Sequence, residues 1–137
     1  MDMTKTILVV DDKASVRQLV RDYLTEQGYK VVTASNGREA LYTARHENPD
    51  AILLDIMMPE MDGYETMRAI RENPRFRHLP IIAVTAKAMK GDRQKCLDAG
   101  ASDYIAKPVD IELLLALLRV WVARAREESQ PIVAAAE

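Results

Sequence analysis

The chain holds one cysteine, Cys96, among 137 residues. A lone thiol excludes an intrachain disulfide framework and suits a reducing compartment. Positive charge is not in excess: 19 Lys and Arg stand against 21 Asp and Glu, a net charge of −2. That balance offers no basic field and no polybasic arm, which argues against direct nucleic-acid binding. No apolar run approaches the roughly 20 residues a membrane span needs. The start, Met1-Asp2-Met3-Thr4-Lys5, carries no apolar stretch behind a basic one, so a secretory signal is not expected. His46 and His78 lack ligand spacing and read as surface residues, and Cys96 reads as a small buried hydrophobe. Internal repeats are absent. These absences leave a cytoplasmic domain with no membrane or direct nucleic-acid partner.

What is present is ample apolar material, 48% of residues, with 29% charged. That suffices for one domain with a real core and is too short for two ordinary ones. Five short apolar runs read as strands: Thr6 to Val10, Tyr29 to Thr33, Ala51 to Asp55, Pro80 to Val84 ending on Thr85, and Asp103 to Ala106. Segments of helical period separate them. Val16, Leu19, Val20, Tyr23 and Leu24 recur on the first, which Gly28 closes. Asn36-Gly37-Arg38-Glu39 starts the second in the manner of a capping box and carries it to about His46. Tyr64, Met67 and Ile70 mark the third, ended by Asn73-Pro74. Met89, Arg93, Cys96 and Leu97 mark the fourth, stopped at Gly100, and Asp110 caps a fifth from Ile111 to about Arg126. Residues 1–126 form the domain, and 127–137 read as a flexible tail or linker.

Alternating strands and helices predict an α/β fold, a parallel sheet with helices on both faces. Right-handed crossovers then bring all the carboxyl ends of the strands to one edge. Asp11-Asp12, Asp55, Thr85 and Lys107 end strands one, three, four and five, and strand two has no counterpart. The order 2-1-3-4-5 would produce that asymmetry by placing strand two outside strand one. Neighbouring carboxylates repel, and one is pushed towards its protonated form unless a cation intervenes. A hard divalent cation such as Mg²⁺ takes oxygen ligands of this kind. Asp11 or Asp12, Asp55 and a backbone carbonyl just after Asp55 would supply a half-shell, with Lys107 a positive charge and Thr85 a hydroxyl donor. Such a set suits a phosphoryl group, whose transfer depends on positioning and charge neutralisation. Asp55 is the group best placed to accept it as a nucleophile.

These residues, with Met58-Pro59, Met61-Asp62-Gly63, Val84-Thr85-Ala86 and Lys107-Pro108, resemble the receiver domain of two-component response regulators over about residues 5–126. Each motif is weak alone; their order on the matching elements makes the set specific. The resemblance implies a flavodoxin-like three-layer α/β/α sandwich of five strands, in order 2-1-3-4-5, and five helices. It implies that Asp55 takes a phosphoryl group from a phosphohistidine of a histidine kinase or histidine phosphotransfer protein. Asp11, Asp12, Asp55 and the Met57 carbonyl would hold Mg²⁺. Lys107 would pair with Asp55 and then with the phosphoryl group, Thr85 would turn its hydroxyl to it, and Tyr104 would reorient inward. The Lys107–Pro108 bond would be cis. The face of helix four, strand five and helix five would carry the signal to a downstream protein. The domain would be a signalling switch, not an enzyme beyond its own phosphorylation and dephosphorylation. Met57 and Lys87 stand where the family tunes phosphoryl lifetime.

On the last helix Ile111, Leu114, Leu115, Leu118, Trp121 and Val122 form one apolar face for docking on the sheet. Leu113, Leu117 and Val120 fall outside it, a stripe suited to a second copy (a homodimer), a partner, or another part of a longer protein. A phosphatase with Asp-x-Asp after strand one would need a carboxylate where Lys13 stands. A flavin binder would need a phosphate loop where Asp11-Asp12 would repel phosphate. A receiver-shaped module that is never phosphorylated would have lost one of the acidic, Thr or Lys residues, and all are present. With no output domain after residue 126, the chain reads as a free-standing regulator or the receiver of a longer protein such as a hybrid histidine kinase.

Overall fold

A computed structural model describes residues 4–58, 60–86 and 92–129. Five strands, β1 (Thr6–Val10), β2 (Lys30–Ala34), β3 (Ala51–Asp55), β4 (Ile81–Thr85) and β5 (Asp103–Ala106), form a parallel sheet in the order β2-β1-β3-β4-β5. The helices are α1 (Ala14–Glu26), α2 (Gly37–Glu47), α3 (Gly63–Glu72), α4 (Asp92–Ala99) and α5 (Ile111–Ser129). The expected fold class is therefore observed. β2 begins and ends one residue later than the sequence suggests, and α5 continues past Arg126 to Ser129. Lys87 and Met89 lie outside the described residues, as do residues 130–137.

The sheet is covered on both faces because its strands are apolar at successive positions, which point to opposite sides. Ile7, Val9, Leu53, Ile82 and Val84 face Val20 and Leu24 of α1 and Leu114, Leu118 and Val122 of α5. Leu8, Val10, Ile52, Leu54 and Ala83 face Ala40 and Ala44 of α2, Met67 and Ile70 of α3, and Cys96 and Ala99 of α4. Leu24, Leu114 and Leu118 have no exposed surface, and each such side chain contributes about 1.5–3 kcal/mol relative to an exposed one. Cys96 is fully buried as expected, whereas His46 and His78 are exposed.

The polar signals act as read from the sequence. The Asn36 side chain accepts from the Glu39 N–H, and the Asp110 carboxylate accepts from the N–H groups of Glu112 and Leu113. Gly28 and Gly100 take positive φ, +95° and +119°, after the helices they follow. The α5 stripe needs one correction. Leu113 and Val120 are exposed, but Leu117 is half-buried and packs against the sheet side of α5, because a helix this close to the sheet shelters positions flanking its central face.

Candidate functional site

The strand order brings the ends of β1, β3, β4 and β5 side by side, with Val10 beside Leu54, Asp55 beside Val84 and Thr85 beside Ala106. Asp55, the last residue of β3, is 2% exposed. Its Oδ1 accepts from the Met57 N–H at 3.0 Å and lies 3.3 Å from Lys107 Nζ. Its Oδ2 is buried and has no hydrogen-bond partner among the described residues. Lys107 follows β5, held by its own N–H bonding to the Thr85 carbonyl at 2.7 Å. Thr85 is buried at the end of β4.

Asp11 is also buried, while Asp12 projects into solvent. The Asp11 carboxylate accepts from the Lys13 N–H at 2.8 Å, and its carbonyl accepts from Arg17 at 2.7 Å. The chain turning out of β1 is thus pinned by α1. Lys107 Nζ stands 3.9 Å from Asp11 Oδ2, so one ammonium serves two buried carboxylates. It does not offset them fully. Burial, then the Asp11 charge, push the Asp55 carboxyl above the usual carboxylate range, against the opposing Met57 N–H and Lys107.

Asp11, Asp12 and Asp55 each offer an oxygen within 4.8 Å of the others. Three carboxylates, of which Asp55 both keeps an oxygen without a partner among the described residues and is pushed towards protonation, fit a divalent cation of the Mg²⁺ type. The Met57 side chain is 58% exposed, and Met58 beside it turns into the core. Tyr104, on β5, is half-buried against the cluster under α2, α3 and α4. The Lys107–Pro108 peptide is cis.

Two supporting residues have structural roles that the sequence reading did not assign. Gly63 starts α3 so close to the end of β3 that a Cβ there would lie 2.6 Å from Ile56 Cα and 2.7 Å from the Asp55 carbonyl oxygen. Its sequence signal was only that of a turn glycine. Arg17 sits six residues after Asp11 and had nothing to mark it apart from other charged α1 residues.

The arrangement places acidic residues, a hydroxyl and a lysine at the carboxyl edge of a parallel sheet, groups of a kind that can hold a metal ion and an anion. Residues 7–119 match the family model of the response regulator receiver domain. The chain belongs to that family, and its role is that of a receiver domain in two-component signalling. It is 37% identical over 123 residues to the polar-differentiation response regulator DivK of Brucella ovis, covering 90% of this chain and all of that one. It is 44% identical over 117 residues to the response regulator PleD of Caulobacter vibrioides, covering 85% of this chain and 26% of that protein. Among solved structures it resembles the receiver domain of the sensor histidine kinase PA1611 from Pseudomonas aeruginosa, whose active-site cleft coordinates a magnesium ion. The TM-score is 0.81 at 38% identity, covering 88% of this chain and 98% of that one. Vibrio cholerae CheY4 gives a TM-score of 0.82 at 35% identity, covering 87% and 99%.

Proposed function

We propose that Asp55 accepts a phosphoryl group from a phosphohistidine on a histidine kinase or phosphotransfer protein. The observation that carries this reading is the Asp55 carboxylate itself: buried, raised in pKa, bonded at Oδ1 and without a protein partner at Oδ2. In the transfer a carboxylate oxygen forms the new O–P bond as the P–N bond to the imidazole breaks, and the departing imidazole keeps the electron pair. Asp11, Asp12, Asp55 and the Met57 carbonyl hold Mg²⁺. When bound, the ion neutralises charge on the carboxylates and phosphoryl oxygens. Lys107 pairs with Asp55 before transfer and with a phosphoryl oxygen after it. The Thr85 hydroxyl then donates to another.

Phosphorylation adds roughly one to two negative charges at a site already short of positive charge. The movement of Thr85 and Lys107 towards the group favours one of two arrangements of Tyr104. The α4–β5–α5 face passes that change to a downstream protein. Leu113 and Val120, exposed on α5, with Leu117 at their margin, give this face an apolar strip for a second copy or a partner. The receiver domain covers about residues 1–126, and α5 runs on to Ser129. Among the described residues no helix is long and apolar enough to cross a membrane, which is compatible with a cytoplasmic site of action.

Incubation with Mg²⁺ and acetyl phosphate tests the reading. An acid-stable, base-labile phosphoryl mass should appear on the native chain and not on Asp55→Asn. Its persistence in that variant would refute the assignment. Lys107→Ala should retain metal binding and lose the conformational response. Light scattering with and without a phosphoryl mimic tests the homodimer, which a monomer in both states would exclude.

A further inference from the structure

The opposite, amino-terminal edge of the sheet carries a second polar concavity that the phosphoryl site does not use. A hollow of about 130 Å³ is lined by Arg71, Arg77, His78, Ser102, Trp121 and Arg124, with Pro80. A wider one of about 300 Å³ shares His78 and Pro80 with it and adds Lys5, Arg75, Phe76 and Leu79. The two therefore adjoin. For a chain of net charge −2 this is a strong local excess of positive charge.

Arg71 is spent on the backbone, its guanidinium donating to the carbonyls of Phe76, Leu79 and Gly100, so the cations left to a ligand are Lys5, Arg75, Arg77 and Arg124. Among the described residues, Lys5, Arg71, Arg75, Arg77 and Arg124 take part in no ion pair. Asp50, the one carboxylate lining either hollow, accepts from the Thr6 N–H at 2.8 Å. Asp103, close by, accepts from Trp121 Nε1 and from its neighbour's N–H at Tyr104. Arg124 lies over the Trp121 ring, 4.8 Å from its centre, and is held at the narrow hollow's wall. The Arg77 and Arg124 guanidinium groups and the Ser102 hydroxyl around a space of this size match a tetrahedral oxyanion. The wider hollow has Phe76, Leu79, Pro49 and Pro80 beside its cations, a mixed wall typical of small-molecule sites.

We propose that this groove binds a small organic phosphate, its phosphoryl group in the narrow hollow and its organic part in the wide one. Binding would occur an entire strand length away from Asp55, about 15 Å at roughly 3.3 Å per residue. It would bear on the starts of β4 and β5 through Pro80 and Ser102.

Trp121 is the only tryptophan and lines the groove, so its emission reports occupancy. The protein used is the full chain carrying Asp55→Asn, in Mg²⁺-free buffer with chelator, which keeps the carboxyl-edge site out of the signal. It is titrated with inorganic phosphate, pyrophosphate and adenosine monophosphate at constant ionic strength, with calorimetry alongside. The expected result is a saturable change for all three, tightest for the monophosphate ester. Arg77→Ala should weaken each by about tenfold, the loss of one charge-assisted hydrogen bond. Arg21→Ala, on α1, should leave them unchanged. A response reproduced by sodium chloride, or insensitive to Arg77→Ala, overturns the proposal and leaves a solvated basic surface. Inorganic phosphate binding as tightly as the ester overturns the organic part of it. Tighter saturation by a glutamate-rich peptide overturns it in favour of an acidic partner protein.

Discussion

Replacing Arg71 by methionine should cost the fold heavily for a change on a surface-reaching helix. The guanidinium on α3 donates to the carbonyls of Phe76 at 2.7 Å, Leu79 at 2.6 Å and Gly100 at 2.8 Å, with longer bonds to Arg77 and Ser102. It thereby ties the end of α3, the turn at Pro74–Phe76 and the loop before β5, segments up to 31 residues apart in the chain. Among the described residues no carboxylate balances it, and burial lowers its pKa from the usual arginine value. Hydrogen bonds to a charged group contribute about 1.5–3 kcal/mol each. Three short ones would suggest more than 4, but they share one side chain, and the variant recovers the desolvation of the charge, so about 3 kcal/mol is expected. Methionine keeps most of the apolar stem, which confines the loss to the polar contacts. Against a domain stability of about 5–15 kcal/mol this is a large fraction. In urea unfolding the midpoint should drop by about 1–3 M, with the slope unchanged. Arg68→Met, exposed on the same helix, is the control. A loss below about 1 kcal/mol, or one matched by the control, would refute the account of Arg71 as a polar tie.

Three further outcomes follow from the site. Gly63→Ala should destabilise by about 2–4 kcal/mol, since its Cβ would strike the backbone of Ile56 and Asp55. Gly28→Ala, at positive φ in open space, should cost only about 1 kcal/mol, and equal thermal shifts for the two would contradict this. Without metal, Asp55→Asn should stabilise the fold by about 1–3 kcal/mol at neutral pH. The folded carboxyl has a raised pKa, so its favourable contribution is present in acid and is lost as pH rises through that value. The advantage of the variant should therefore grow from acid to neutral pH, and a flat difference would be inconsistent with burial as the cause. Saturating Mg²⁺ should raise the melting temperature of the native chain, corresponding to about 2.7 kcal/mol at a hundredfold excess over Kd. Asp12→Ala should remove most of that gain, and an undiminished rise would take Asp12 out of the metal set.

Local chemistry along the chain determined a good deal. Runs such as Ile7 to Val10 and Ile52 to Leu54 can be satisfied only as strands buried on both faces, and alternation with amphipathic helices forces a parallel sheet. Once all strands point one way, Asp11, Asp12, Asp55, Thr85 and Lys107 must share an edge, which makes the site legible in the sequence. Only the tertiary structure decided how those groups share charge: that Asp12 faces water while Asp11 is buried, that one lysine serves two carboxylates, and that Asp55 keeps an oxygen without a partner. Arg71 shows the limit most clearly. Its sequence neighbourhood is an ordinary charged helix end, and its acceptors are backbone carbonyls brought in from other loops. Apolar periodicity is written locally because each strand or helix must bury its own face. A carbonyl leaves no mark in sequence, so which side chain will find it is known only when the loops have been folded together.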